Sequence, residues 1–280
     1  MKSLIKKVLS AFLMTLLLSA AIAESTGPAG LPLSISAEAA VSQTAKPDSR
    51  SASEMKALKK KLNSMLSAYG GSWSVYVKRL DTGDTICVNA SRRQRAASLI
   101  KLYIAGAYEK NISSGAVSAA YLNKMDVMLS RSDNYAANLL ISKLGYSRIN
   151  RFIGKNGFAK TVCRRKMLQL SKRDNYTSAR DCGKLLEKIY DGSYVNRKAS
   201  KRMLRDLKNQ TRRWKIPAGV PQGITVANKT GELANVENDA AIVWGKDCTY
   251  ILVVMSQNVT PSKARKHIVS ISQKVYSALN

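Results

Sequence analysis

Ser98 and Lys101 stand three residues apart in the apolar run "AASLIKLYIAG", residues 96 to 106. At that spacing in a helix two side chains share a face, so an amine can sit beside a hydroxyl. A lysine acts as a base only when burial or a second cation lowers its pKa, because only the neutral amine accepts a proton. A serine and a lysine so placed are the parts of a nucleophile and its base. Taken alone, the pair also fits an ordinary helix start with a lysine snorkelling outward. The same spacing recurs at Ser3 to Lys6 and Ser53 to Lys56.

Other hydrolytic chemistries lack their parts. His267 is the only histidine and lies between Lys266 and Ile268, where a surface role is expected. A Ser-His-Asp triad or a zinc site would have to use it, and zinc would need two or three further ligands. Of the four cysteines, Cys87, Cys163, Cys182 and Cys248, none forms a CxxC pair. No metal and no cofactor is expected. Cys163 and Cys182 bracket a loop-like stretch that a disulfide could close, and buried free thiols fit equally well.

Two tripeptides raise the specificity of the serine and lysine. "SDN" occurs once, at Ser132-Asp133-Asn134, and "KTG" once, at Lys229-Thr230-Gly231, at the end of a predicted strand. Each is expected by chance only about a few times per hundred chains of this length. Together and in this order, the three motifs resemble those of the class A β-lactamase and penicillin-binding serine hydrolase family. The resemblance runs from about Ser53 to Asn280 and includes "KTGELANVENDAAIVWG".

The resemblance implies roles. Ser98 would attack a carbonyl and become acylated, with Lys101 taking its proton directly or through water. Ser132 would relay a proton to the leaving nitrogen, and Asn134 would hold Lys101 and the substrate's amide side chain. Lys229 would keep Lys101 neutral and attract the carboxylate of β-lactams and D-alanyl peptides, with Thr230 hydrogen-bonding it. Gly231 would let substrate lie along the strand, and the backbone N–H groups of Ser98 and Glu232 would form the oxyanion hole. Asp133 would brace its loop.

In class A lactamases a glutamate between the second and third motifs activates the deacylating water. Here no Asp or Glu occurs from Asn134 through Arg173, and the segment reads "CRRKMLQLSKRDNYTSARD". Gln169 could position a water without accepting its proton, and Asp174 or Glu232 could substitute as the base. The acyl-enzyme is therefore expected to deacylate slowly. That makes a D,D-peptidase or penicillin-binding protein of cell-wall metabolism the alternative activity.

The elements that must position these residues follow from periodicity. Met55, Leu58, Leu62, Leu66 and Tyr69 recur at helical spacing from Ser53 to Gly70. "WSVYVKRL" and "TICVNA" flank the turn "DTGD" as a hairpin. Helical patterns fill the middle, from about Ser98 to Thr211: "AVSAAYLNKMDVML", "YAANLLISKLG" ended by Gly145, "SARDCGKLLEKIY" capped by Thr177, and "RKASKRMLRDLKNQ" after Asn196. No strand is expected among them. "GITVANKTG", "DAAIVWG" and "TYILVVMSQ" then read as strands. A final helix opens at Thr260-Pro261, with Ile268, Ile271, Val275 and Leu279 in one stripe. The expected fold is α+β: a five-stranded antiparallel sheet covered by the terminal helices, with an all-helical lobe, about 98 to 215, inserted in it. By the resemblance, it is β-lactamase/transpeptidase-like.

Residues 1 to 23 read as a secretory signal peptide. Lys2, Lys6 and Lys7 precede an apolar run from Val8 to Ala20, and "AIA" offers a cleavage point. A second Ala-rich site, "SAEAA", lies at 36 to 40. The run is shorter than the roughly 20 residues of a membrane span, so no transmembrane anchor is expected after cleavage. Residues 24 to 52, rich in Ser, Ala, Gly and Pro, read as a flexible linker ahead of a domain at 53 to 280. Cleavage takes three lysines and no acid from the net charge of +28, leaving +25. Such a field favours polyanions, yet export argues against nucleic acid. Anionic cell-wall polymers and a simply solvated basic surface fit that charge equally well, and a secreted monomer, free or wall-associated, is expected. A cationic wall-binding protein on a degenerate enzyme scaffold is the rival reading.

Overall fold

A computed structural model describes residues 49–280, with side chains from residue 52. The expected signal peptide and most of the expected linker lie outside the described residues. The first helix, α1, spans Ser49–Ala68, four residues earlier than the sequence reading. No Gly or Pro separates Pro47 from the apolar stripe, so nothing stops the helix extending back through the serines. Among the described residues, no helix is long and apolar enough to cross a membrane.

The sheet is made of β1 (Ser72–Arg79), β2 (Thr85–Val88), β5 (Thr225–Leu233), β6 (Val236–Trp244) and β7 (Thr249–Gln257). Its order is β2-β1-β7-β6-β5 and every pair is antiparallel. Successive side chains of a strand point to opposite faces. On β7, Tyr250, Leu252 and Val254 join one hydrophobic cluster with α1 and the last helix, α7 (Pro261–Leu279). Ile251, Val253 and Met255 join a second cluster with the helical lobe. Both faces of the strand are covered, which is why "TYILVVMSQ" is apolar without alternation. The expected stripe of α7 is buried at Ile268, Ile271, Val275 and Leu279.

The lobe contains α2 (Ile100–Ser113), α3 (Leu122–Ser130), α4 (Asn134–Lys155), α5 (Ala179–Tyr190) and α6 (Arg197–Lys208). Gly145, at φ 73° and ψ 153°, breaks α4 into two helices as the sequence suggested, and Asn196 caps α6.

Three details differ from the sequence reading, and the alternative left open for the cysteines resolves to free thiols. A two-residue strand, β4 (Tyr176–Thr177), does interrupt the lobe and pairs with β3 (Gln94–Arg95). Two residues are too few to leave a periodic signal. The cap of α5 is Ser178, whose side chain accepts from Asp181 N. Thr177 is instead committed to a buried hydroxyl cluster, 2.8 Å from both the Tyr103 OH and Thr161 Oγ1. All four cysteines are free thiols, and burial pushes those of Cys163 and Cys182 up to about 12. His267 is half-buried rather than solvated. It stacks on Tyr69 with ring centroids 3.6 Å apart and meets the edge of Trp73, so it packs α7 against the end of α1.

Helix α5 approaches the sheet through a glycine. A Cβ at Gly183 would lie 2.3 Å from the Tyr76 ring, whereas one at Gly154 in α4 would meet nothing within 4 Å. Gly183→Ala is therefore expected to lower the unfolding free energy by about 1–3 kcal/mol. Gly154→Ala should be neutral or stabilising by up to about 1 kcal/mol. Urea unfolding of the two variants checks the contrast.

Candidate active site

Ser98 lies in a short 3-10 turn, Ala97–Leu99, that runs directly into α2. Its approach is strained, since Ala97 takes a left-handed φ of 47°, a conformation disfavoured for residues with a Cβ. Ser132, in the turn before α4, has φ 59°, and Leu168, on the loop between α4 and β4, has φ 62°. Among the described residues six non-glycine residues have positive φ, and these three of them line one cleft with Ser98. Strained residues gather where surrounding structure over-determines a site.

The strand pair β3–β4 anchors the turn, because Ala96 N donates to Asn175 O at 2.8 Å just beyond it. On the other side stands β5, an edge strand of the sheet. A Cβ at Gly231 would lie 2.9 Å from the Ala96 carbonyl oxygen and 3.3 Å from Ser98 N. Glycine at this position lets the edge strand touch the nucleophile's turn, a task beyond the substrate alignment expected of it. Asn238 of β6 donates to the carbonyls of Arg95 and Ala96, at 3.0 and 3.3 Å, and fixes the same turn from below.

Lys101 is fully buried. Its Nζ donates to Ser132 O at 2.6 Å, Asn134 Oδ1 at 2.8 Å and Ser132 Oγ at 3.3 Å. The amine is thus oriented by the second motif. Burial brings its pKa down to about 7, the charge of Arg212 pushes the same way, and Asp133 opposes them. The sequence reading gave this depressing role to Lys229; the structure gives it to burial and Arg212. Lys229 is itself pushed well down, first by burial and then by Lys101 and Arg212. Its Nζ donates to Ser132 Oγ at 2.8 Å and Thr230 O at 2.9 Å. One hydroxyl, Ser132 Oγ, therefore bridges two desolvated amines.

Asp133 caps α4 by accepting from Ala136 N at 2.6 Å, the bracing role expected of it. Thr230 Oγ1 is buried on the cleft wall with no hydrogen-bond partner among the described residues, which leaves it free for a substrate acceptor.

The candidate bases for deacylation are placed differently from expectation. Asp174 lines the cleft but pairs with Arg165 at 3.0 Å and accepts from Asn175 N at 2.8 Å. Glu232 also lines it, and its carboxylate pairs with Arg212 and with buried Lys215. Burial alone would raise the Glu232 pKa, but the two cations outweigh it and the net shift is downward. A carboxylate held this way is a weak base. Gln169 is exposed and lines an outer groove with Tyr135 and Tyr146 rather than the cleft. Beside Arg165, Leu168 and Asp174, the loop presents Met167 to the cleft. Asn138 clamps its backbone on both sides, accepting from Met167 N at 2.6 Å and donating to Met167 O at 3.0 Å.

Met167 and Arg212 belong to none of the three motifs: Arg212 opens the basic run "RRWK" and Met167 lies in "CRRKMLQLSK", and neither run by itself marks a site residue. A signal for Asn138 exists in hindsight, since it follows Asn134 by one helical turn and so shares its face. Among the described residues, no three His, Cys, Asp or Glu side chains converge as a metal site.

The family model described as "Beta-lactamase enzyme family" matches residues 57–127 and 120–279. A β-lactamase of Streptomyces cellulosae is 31% identical over 138 residues, covering 46% of this chain and 44% of that protein. The chain thus aligns with under half the length of that relative. Among solved structures, PBP-A superposes with a TM-score of 0.75 at 25% identity, over 79% of this chain and 95% of PBP-A. A point variant of PBP-A, described as an acyl-enzyme complex with penicillin-G, matches equally well. The β-lactamase from Sphaerobacter thermophilus gives a TM-score of 0.71 at 23% identity, over 81% of this chain and 97% of that one. With the family model spanning nearly all of the described residues, the chain belongs to the beta-lactamase enzyme family.

Proposed function

We propose that this chain is a secreted serine acyl hydrolase that forms an acyl-enzyme through Ser98 on β-lactams or related D-alanyl peptides and releases the acyl group slowly. The observation that carries the reading is Ser132 Oγ held between Lys101 and Lys229 beside the Ser98 turn. In this mechanism Ser98 Oγ attacks the carbonyl carbon as neutral Lys101 takes the hydroxyl proton. The backbone N–H groups of Ser98 and Glu232 stabilise the oxyanion. Collapse breaks the C–N bond, and the leaving nitrogen receives a proton from Ser132 Oγ, which Lys101 replenishes. The PBP-A variant carrying penicillin-G supports the acyl-enzyme for a relative of this fold.

Release then needs a base near the ester. Met167 faces the cleft, and both carboxylates there are bound to cations. This supports a long-lived adduct, closer to penicillin-binding behaviour than to rapid lactamase turnover. The concerted arrangement of both lysines with Ser132 argues against a degenerate scaffold, because a binder has no use for desolvated amines.

Wall polymers are proposed as a second partner. The stretch from Asn134 through Arg173 holds ten Lys or Arg residues and no acid, and Arg151, Lys155, Lys160, Arg164, Lys172 and Arg173 are exposed. An anionic polymer would find exposed basic residues there with no acid in the same stretch of chain.

Time-resolved intact mass with a penicillin should show a single adduct on the wild type that outlasts mixing by minutes, and none on Ser98→Ala. Met167→Glu, which puts a base where the loop meets the cleft, should shorten the adduct's life about 10²-fold. Rapid wild-type turnover would overturn the slow-release reading, and absence of any adduct would overturn the acyl-enzyme. Acylation should rise with pH through about 7, because Lys101 is the base and its neutral fraction grows as pH passes that pKa. Arg212→Ala removes the charge that helps depress it, so the midpoint of the pH–rate profile should move up. Retention on poly(glycerol phosphate) should fall steeply between low and physiological salt, survive Ser98→Ala, and weaken in Arg164→Glu/Lys172→Glu.

A further inference from the structure

The cleft is electrically balanced although the chain is not. Four charged residues line it, two of each sign: Arg165, Arg212, Asp174 and Glu232. Each arginine already holds a carboxylate, Arg165 with Asp174 and Arg212 with Glu232. The two lysines of the site are buried, and burial drives both toward the neutral form. Neither arginine on the cleft wall therefore offers an entering carboxylate an unpaired charge.

Glu232 is held where it is from behind. Lys215, fully buried, lies 3.2 Å from Glu232 Oε1 and 2.6 Å from Glu237 Oε2, and donates to Asn238 O at 2.9 Å. Arg265 of α7 closes the row on Glu237 at 2.9 Å. The side chains Arg212, Glu232, Lys215, Glu237 and Arg265 thus alternate in sign from the cleft to the terminal helix. Arg212 is the exposed, adaptable end of this row, and Glu232 is its fixed anion.

We propose that the Glu232 side chain is a specificity-determining residue that neutralises Arg212 and so discriminates against acyl donors bearing a carboxylate beside the scissile amide. Its backbone N–H is a separate matter, shared by any residue at this position. The consequence is that a free carboxylate gains less over its amide or ester than it would beside an unpaired Arg212. The inference rests on the proposed acylation of Ser98.

The test compares a penicillin with its methyl ester, which differ only in that carboxylate. The second-order rate of Ser98 acylation is followed by intact mass for the wild type, Glu232→Gln and Glu232→Ala. Glutamine keeps the shape and the backbone N–H, and Lys215 keeps Glu237 as its partner. Both variants should raise the acid-to-ester ratio of acylation rates about tenfold over that of the wild type. Adding Arg212→Ala to Glu232→Gln should abolish the gain. Because the acid-to-ester ratio is taken within one protein, loss of folded material cancels from it. A ratio within twofold of wild type in both Glu232 variants would overturn the inference while leaving the acyl-enzyme intact. Failure of both probes to acylate any of the proteins would overturn the acyl-enzyme reading and this inference with it.

Discussion

Two amines held out of water against one hydroxyl are the constraint around which this molecule is organised. Lys101 and Lys229 are both fully buried, and both donate to Ser132 Oγ, at 3.3 and 2.8 Å. Burial strips each ammonium of its hydration and the charge of Arg212 adds to the penalty, so both amines are pushed toward the neutral form. The fold compensates with acceptors, since Ser132 O, Asn134 Oδ1 and Thr230 O take the remaining N–H groups. A base of pKa about 7 is the product of that balance. It is bought with burial of polar groups in a small domain, and it fails if any of the three contributing segments drifts.

Those segments come from distant parts of the chain, and each is pinned by a local device. The Ser98 turn is held between β3–β4 on one side and Asn238 on the other. The Ser132 turn is fixed by the cap that Asp133 supplies to α4. Lys229 rides on an edge strand whose glycine allows backbone contact with the nucleophile's turn. Left-handed conformations at Ala97 and Ser132 are the local cost of aiming both serines into one cleft. The hydrophobic clusters on the two sheet faces supply the stability that offsets it.

What was legible in the sequence was whatever has a period or a fixed spacing. The strands, the stripe of α7, the break at Gly145 and the three motifs all carry such signals. The motif residues do converge in space, although Ser98 and Lys229 are far apart in the chain. What stayed hidden depends on tertiary neighbours. Two-residue strands leave no pattern, and Thr177 and Ser178 are equally good caps until the hydroxyl cluster claims one of them. Gln169 is chemically the better water ligand, but the backbone clamp from Asn138 turns Met167 into the cleft instead. Arg212 sits in "RRWK", a run that reads as generic basic surface, yet its charge reaches both active lysines.

The same contrast explains why net charge misleads about the site. A balance of +28 describes the whole chain, and its basic excess is concentrated on exposed stretches such as 134–173. Electrostatics inside the cleft is decided at contact distance, where opposite charges pair and burial pushes amines toward the neutral form. A strongly cationic exterior can draw anions toward the surface from several ångströms away, within the Debye length of about 8 Å. What happens at Ser98 depends instead on whether an anion can displace a carboxylate already bound to Arg212. Attraction to the protein and acceptance by its cleft are therefore separate properties, set by different residues and open to separate change.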